Sequence, residues 1–171
     1  MMMQALRAGG LPVLTDDRRV ADEDNPRGYV EFEPVTHIAR ARGWVPQAQG
    51  RAVKVVSPLL RHLPPEYRYQ VIFMRRNLAE ILASQQQMLR RRKPAADGDD
   101  ASLARAFERH LSEIAAWLGT QANVTVIYVD YHHVLSDPAT QLQRLCAFLR
   151  RDLAVDAMVA VVDRQLHRQR A

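Results

Sequence analysis

Residues 69–84 read YQVIFMRRNLAEILAS, and this stretch decides the fold. It opens on a short apolar run with the β-branched and aromatic content of a buried strand. Leu78 and Leu82 then recur at helical spacing, so the pattern predicts a strand followed directly by a helix. Asn77 and Glu80 have the spacing of a capping box, which predicts that the helix begins at this point.

Two arginines, Arg75 and Arg76, stand at the predicted strand-to-helix corner. Ligands of open α/β sheets bind outside the carboxyl ends of the strands, and a helix N-terminus favours anions. Ser84 lies two helical turns beyond Asn77, so its hydroxyl and the Arg76 guanidinium can face one pocket. The alternative is a surface arginine beside a serine bonded to its own helix. We interpret the corner as a phosphate site.

The composition is that of one ordinary globular domain covering residues 1–171, with 47% hydrophobic and 25% charged residues. No apolar run has the length of a membrane span, and the N-terminus lacks the order of a signal peptide. These features predict a cytoplasmic protein. The net charge of +5 arises almost wholly from arginine, since Lys54 and Lys93 are the lysines of the chain. This bias gives weak support to an anionic partner.

Apolar runs alternate with longer stretches of helical period along the chain. This alternation is typical of βαβ units, and it predicts an α/β fold with a parallel sheet and helices on both faces. Strands are predicted at residues 51–57, 69–74 and 124–130, with a possible short one at 11–14. Helices are predicted at residues 1–8, 34–42, 102–118, 138–150 and 155–162, and the arginine-rich end from Arg164 is expected to fray.

Lys54 and two glutamates are candidate catalytic groups. Lys54 falls near the carboxyl end of a predicted strand, where an ammonium neutralises charge on a transferring group; the alternative is a lysine at a strand edge. Glu31 and Glu33 follow the turn at Asn25–Gly28, and a carboxylate there is a possible general base. A solvated loop is the alternative reading for these glutamates.

Three other features carry less weight. Adjacent His132 and His133 point apart and have no partner at metal-ligand spacing, so no metal site is predicted. Residues 90–93 (RRRK) end a predicted helix, where basic residues complement the macrodipole, and no nucleic-acid partner is inferred. Cys146 lies on an apolar helical face and is interpreted as a small core residue, not a nucleophile.

The stretch from Arg76 to Ser84, with serine eight positions after an arginine that ends a strand, resembles the bacterial sulfotransferase family. Residues 128–131 (YVDY), 136–138 (SDP) and 145–149 (LCAFL) resemble its later tyrosine-containing strand end, Asp-Pro and Phe-Leu helix. Residues 21–35 and 53–64 also resemble segments of bacterial members. The resemblance therefore covers nearly the whole chain.

The resemblance implies a P-loop-like three-layer α/β domain that uses 3′-phosphoadenosine 5′-phosphosulfate as sulfuryl donor. Arg76 and Ser84 would hold the 3′-phosphate, and Tyr131 would line the adenine side. Lys54 would stabilise charge near the bridging oxygen. The partners implied are this nucleotide donor and an unknown hydroxyl or amine acceptor, with no metal and no membrane.

Two departures from the family pattern affect the expected activity. Members of the family open with a strand and a glycine-rich loop of the Gly-x-x-Arg-Ser-Gly-Thr kind, which cradles the 5′-phosphosulfate. This sequence starts with what resembles the next helix, so we expect an N-terminally truncated, impaired member that lacks the first strand and the loop. Some members carry Lys-Thr-His where this chain has Lys54-Val55-Val56, which leaves Glu31, Glu33 or His62 as substitute bases.

Two alternatives remain open at this stage. One is a non-catalytic remnant that binds a nucleotide or a protein. The other is a P-loop kinase relative, which ranks last because the chain offers no Walker lysine and no magnesium-holding carboxylate.

Overall fold

The computed structural model describes residues 1–19, 21, 28–77 and 100–163. The described helices and strands alternate between residues 69 and 136, whereas the described part of residues 9–68 contains 3₁₀ helices and irregular chain. The α-helices and β-strands are, in chain order, α1 (Met2–Ala8), β1 (Tyr69–Arg75), α2 (Asp100–Thr120), β2 (Val124–Asp130), α3 (Tyr131–Ser136), α4 (Pro138–Leu149) and α5 (Val155–Ala160). Short 3₁₀ helices cover Glu33–His37, Val45–Ala48 and Ser57–His62.

Strands β1 and β2 form a parallel two-stranded sheet. Its register pairs Tyr69 with Val124 at one end and Arg75 with Asp130 at the other. Both strands were predicted from their apolar runs, and both are confirmed. The chain is therefore a mixed α/β protein with a small parallel sheet, as predicted. The P-loop-like three-layer arrangement stays a prediction.

The two faces of the sheet pack against different helices, because successive strand side chains point to opposite faces. Ile72, Met74 and Val129 join a core cluster built by α1, α4 and α5. Phe73 and Val126 face the other way, toward a cluster centred on α2. The fully buried members of the first cluster include Leu6, Leu142, Leu145 and Met158.

Helix α2 is the longest described helix, with 21 residues. It buries Ile114 and Leu118 at helical spacing and leaves Leu103 exposed, which is the pattern of an amphipathic surface helix. Neither this helix nor any other in the described ranges has both the length and the apolar character needed to cross a bilayer.

The segment predicted as a strand at residues 51–57 is not one. Only Ala52 forms a bridge, parallel to Val13, and residues 53–56 have no strand pairing. Val53 and Val55 instead pack on a cluster around Ile38 and Trp44. An extended segment that lies on an apolar cluster shows the same alternation of apolar and polar residues as a strand. The alternation at residues 53–55 therefore reflects burial of the side chains and not hydrogen bonding to a neighbouring strand.

Two helical regions also differ from expectation. Residues 34–42 were predicted as a helix, but a 3₁₀ helix over Glu33–His37 is followed by a turn. Its buried Val35 and Ile38 are three residues apart, and side chains at this spacing share one line along a 3₁₀ helix. Helix α3 was not predicted at all, although Asp130 before it is a favoured N-cap residue.

Candidate functional site

The carboxyl ends of β1 and β2 bring two predicted site residues together. Because Arg75 pairs with Asp130, the residues that follow them, Arg76 and Tyr131, emerge at the same edge of the sheet. The Cζ atom of Arg76 lies 4.9 Å from the centre of the Tyr131 ring. A guanidinium at this distance is attracted to the ring face, so each residue helps to position the other.

Asp130 fixes where Tyr131 stands. As the N-cap of α3, its carboxylate accepts hydrogen bonds from the backbone N–H groups of His132, at 2.8 Å, and His133, at 3.2 Å. The Tyr131 ring also meets the His132 ring edge-on, with centres 6.0 Å apart. The strand-to-helix corner is thus held by a side chain from the last position of the strand.

Replacing Asp130 with alanine is expected to lower the free energy of unfolding by about 1 kcal/mol, since an N-cap carboxylate would be lost. The loss is expected to appear as a lower urea midpoint with an unchanged slope. Asp130→Asn keeps a capping oxygen and is expected to retain most of the stability. Equal losses in the two variants would contradict the capping role.

Arg75 occupies a different environment from its neighbour Arg76. Its Cζ atom lies 3.9 Å from the centre of the Tyr128 ring, which in turn packs against Phe73 with ring centres 5.6 Å apart. Arg75 is exposed, whereas Arg76 is half-buried. Strand alternation explains the difference and separates the roles of the two arginines.

A cleft of about 1440 Å³ opens beside β1. Lys54, Arg76 and Tyr131 all line it, so three of the predicted site residues share one cavity. Ser57, which was not among the site residues predicted from the sequence, also lines the cleft. A cleft of this size is large enough for a nucleotide.

Lys54 does not stand on a strand, but it is held in place by Glu31. Its Nζ atom donates a 2.7 Å hydrogen bond to Glu31 Oε1, and Arg19 Nη1 lies 3.4 Å from Glu31 Oε2. Burial opposes ionisation of Glu31, but the two cations outweigh it and hold the pKa of that carboxyl below its usual range. Glu31 is therefore a weak base, which argues against its expected role as acceptor base.

Neither of the other two substitute bases, Glu33 and His62, lines the cleft that contains Lys54 and Arg76. Glu33 Oε2 accepts a 2.7 Å hydrogen bond from Arg18, and its Oε1 lies 3.7 Å from His37 Nε2. His62 is the last residue of the 3₁₀ helix that begins at Ser57. Nothing in these contacts directs either residue toward the Arg76 corner.

Ser57 and His110 form a pair that sequence patterns did not reveal. Ser57 Oγ lies 2.9 Å from His110 Nε2, and both side chains are half-buried. The residues are far apart in the chain, and neither stands in a recognisable motif. Only the packing of α2 against residues 57–62 brings them together.

Several sequence predictions lie outside the described residues. Ser84 and Glu80 belong to this group, as do Asn25 and the basic run at residues 90–93. The expected fraying from Arg164 does too. The predicted pairing of Arg76 with Ser84 therefore remains a prediction.

Cys146 and the histidine pair behave as ordinary structural residues. Burial raises the pKa of the Cys146 thiol, and its Sγ atom lies 3.9 Å from Met158 Sδ at the edge of the first core cluster. His132 and His133 contribute backbone N–H groups to the Asp130 cap. Within the described ranges, no group of His, Cys, Asp and Glu side chains has the arrangement of a metal site.

Comparison with curated proteins and with solved structures gives no match. A family model described as "Sulfotransferase family" matches residues 51–155. The matched range contains Lys54, Arg76 and Tyr131, but it does not reach Glu31. Because the match spans more than half of the chain, the protein belongs to the sulfotransferase family.

Proposed function

We propose that this protein binds 3′-phosphoadenosine 5′-phosphosulfate and that its site is built to transfer the sulfuryl group to a hydroxyl or amine acceptor. The observation that carries the proposal is the contact between Arg76 and Tyr131 at the carboxyl end of a parallel sheet. A guanidinium suits a phosphate, and an adjacent aromatic ring suits a purine. Membership of the family supplies the donor class.

The residues present fit such a donor. Arg76 would hold the 3′-phosphate together with Ser84, as the resemblance to the family implies. Tyr131 would lie along the adenine, with Arg76 packed on its ring. In this proposal the sheet with helices on both faces is the core of a P-loop-like three-layer domain.

Lys54 is the proposed cation beside the transferring group. It lines the same cleft as Arg76, and its ammonium is now bonded to Glu31. An anionic group entering the cleft would compete with the Glu31 carboxylate for that ammonium. Glu31 then acts as a counter-ion that orients Lys54.

The 171 residues contain no Gly-x-x-Arg-Ser-Gly-Thr loop. Each backbone donor of such a loop is worth about 3 kcal/mol in a preorganised site. These residues alone are therefore proposed to bind the nucleotide through its 3′-phosphate end and to transfer sulfuryl groups poorly. A non-catalytic nucleotide- or protein-binding module is the second candidate.

Isothermal titration with 3′-phosphoadenosine 5′-phosphate tests the donor site. We expect a saturable heat, and binding of adenosine 5′-monophosphate about tenfold or more weaker, because that nucleotide has no 3′-phosphate for Arg76. Equal affinities for the two nucleotides would refute a 3′-phosphate site.

A transfer assay with ³⁵S-labelled donor and a panel of phenols and amines then separates the two candidates. Formation of labelled product supports sulfuryl-transfer activity. Nucleotide binding without any labelled product supports the non-catalytic module.

A further inference from the structure

Ser57 lines the cleft and is paired with His110, and neither residue has a role in the site described so far. Ser57 lines the cleft three residues after Lys54, and its Oγ atom is 2.9 Å from His110 Nε2. This is the distance and the pair of residue types found where a hydroxyl is activated by a base. A merely structural serine–histidine bond is the alternative.

The pair is set by packing between two elements. Ile114 of α2 packs against Leu60 of the 3₁₀ helix Ser57–His62 in one buried cluster. His110 lies one helical turn before Ile114, on the same side of α2, and therefore faces the start of that 3₁₀ helix. Arg61 and Glu113, 4.0 Å apart, link the same two elements at the surface.

Glu31, the first candidate base from the sequence, does not line the cleft. The Glu31 carboxylate is engaged by both Lys54 and Arg19, and this lowers its pKa. A neutral imidazole, by contrast, accepts a proton at its free nitrogen.

We propose that Ser57 and His110 form a proton relay that activates a hydroxyl acceptor, an assignment that rests on the proposed sulfuryl transfer. The acceptor hydroxyl passes its proton to Ser57 Oγ as its oxygen bonds to the sulfur. Ser57 passes its own proton to His110 Nε2. The bond between that sulfur and the 5′-phosphate oxygen breaks, and the 5′-phosphate leaves with the electron pair.

Labelling with phenylmethylsulfonyl fluoride tests the relay without requiring transfer activity. The serine oxygen forms a bond to sulfur, fluoride leaves, and the proton goes to His110. We expect modification of Ser57, located by peptide mass spectrometry, with a rate that rises as histidine deprotonates. His110→Gln is expected to slow it at least about tenfold and to remove the pH dependence. His62→Gln, at the other end of the 3₁₀ helix, is the matched control and is expected to label at the wild-type rate.

The outcomes separate this inference from the proposed function. Equal labelling of the wild type and His110→Gln, or no labelling of Ser57, overturns the relay whatever the nucleotide does. If Ser57 is labelled as expected but the protein does not bind 3′-phosphoadenosine 5′-phosphate, the proposed donor site is wrong. The activation of Ser57 by His110 would still stand. Circular dichroism of each variant excludes misfolding as the cause of lost labelling.

Discussion

Arg76→Ala is expected to weaken binding of 3′-phosphoadenosine 5′-phosphate by about 10- to 100-fold. A hydrogen bond between two charged groups contributes about 1.5–3 kcal/mol, and about 1.4 kcal/mol corresponds to a factor of ten in affinity. The variant also removes the cation that packs on the Tyr131 ring. Isothermal titration at fixed ionic strength measures the change directly.

Arg75→Ala is the matched control for this measurement. It removes the same charge one residue away, but Arg75 stacks on Tyr128 and not on Tyr131. We expect a loss of affinity below about threefold, which is the size of a long-range charge effect screened by salt. If both variants lost affinity equally, the binding would depend on net charge and not on a site at Arg76.

Leu145→Ala is expected to destabilise the fold by about 2–5 kcal/mol. Leu145 is fully buried in the cluster that joins α1, α4 and α5 to one face of the sheet. Removing most of its side chain loses apolar burial and leaves a cavity among neighbours that cannot collapse completely. For a chain of this length the melting temperature is expected to fall by about 5–15 °C.

Leu103→Ala serves as the control for the core variant. Leu103 is on α2 but is 41% exposed, so the same substitution there is expected to change the free energy of unfolding by less than about 0.5 kcal/mol. Urea titrations of the two variants give the comparison. Similar losses at the two positions would mean that the cluster around Leu145 does not dominate the stability.

The sheet and its site corner were largely predictable from sequence. The apolar runs at residues 69–74 and 124–130 identify strands because both faces of the sheet are covered and neither strand needs polar positions. Arg76 was assigned by its position after a strand and Tyr131 by the family resemblance, and parallel pairing of these strands is enough to bring them together. At this corner the apolar runs in the sequence and the parallel pairing of the strands lead to the same arrangement.

The segment around Lys54 shows where sequence reasoning fails. Apolar alternation at Val53 and Val55 reports contact with a core, but a strand requires a partner that supplies hydrogen bonds, and no local pattern encodes that partner. The ion pair of Lys54 with Glu31 likewise joins residues 23 positions apart, which no local pattern encodes. The contact between Ser57 and His110 depends on how two helical elements dock.

The parallel pairing of β1 with β2 has a consequence for the order of folding. A parallel pair is joined by a long crossover, and its loop-closure entropy must be overcome before the contacts between the strands stabilise the chain. Such non-local pairing forms slowly. Arg76 and Tyr131 are adjacent only once that pairing is complete, so a ligand that requires both recognises only chains in which the two strands have paired.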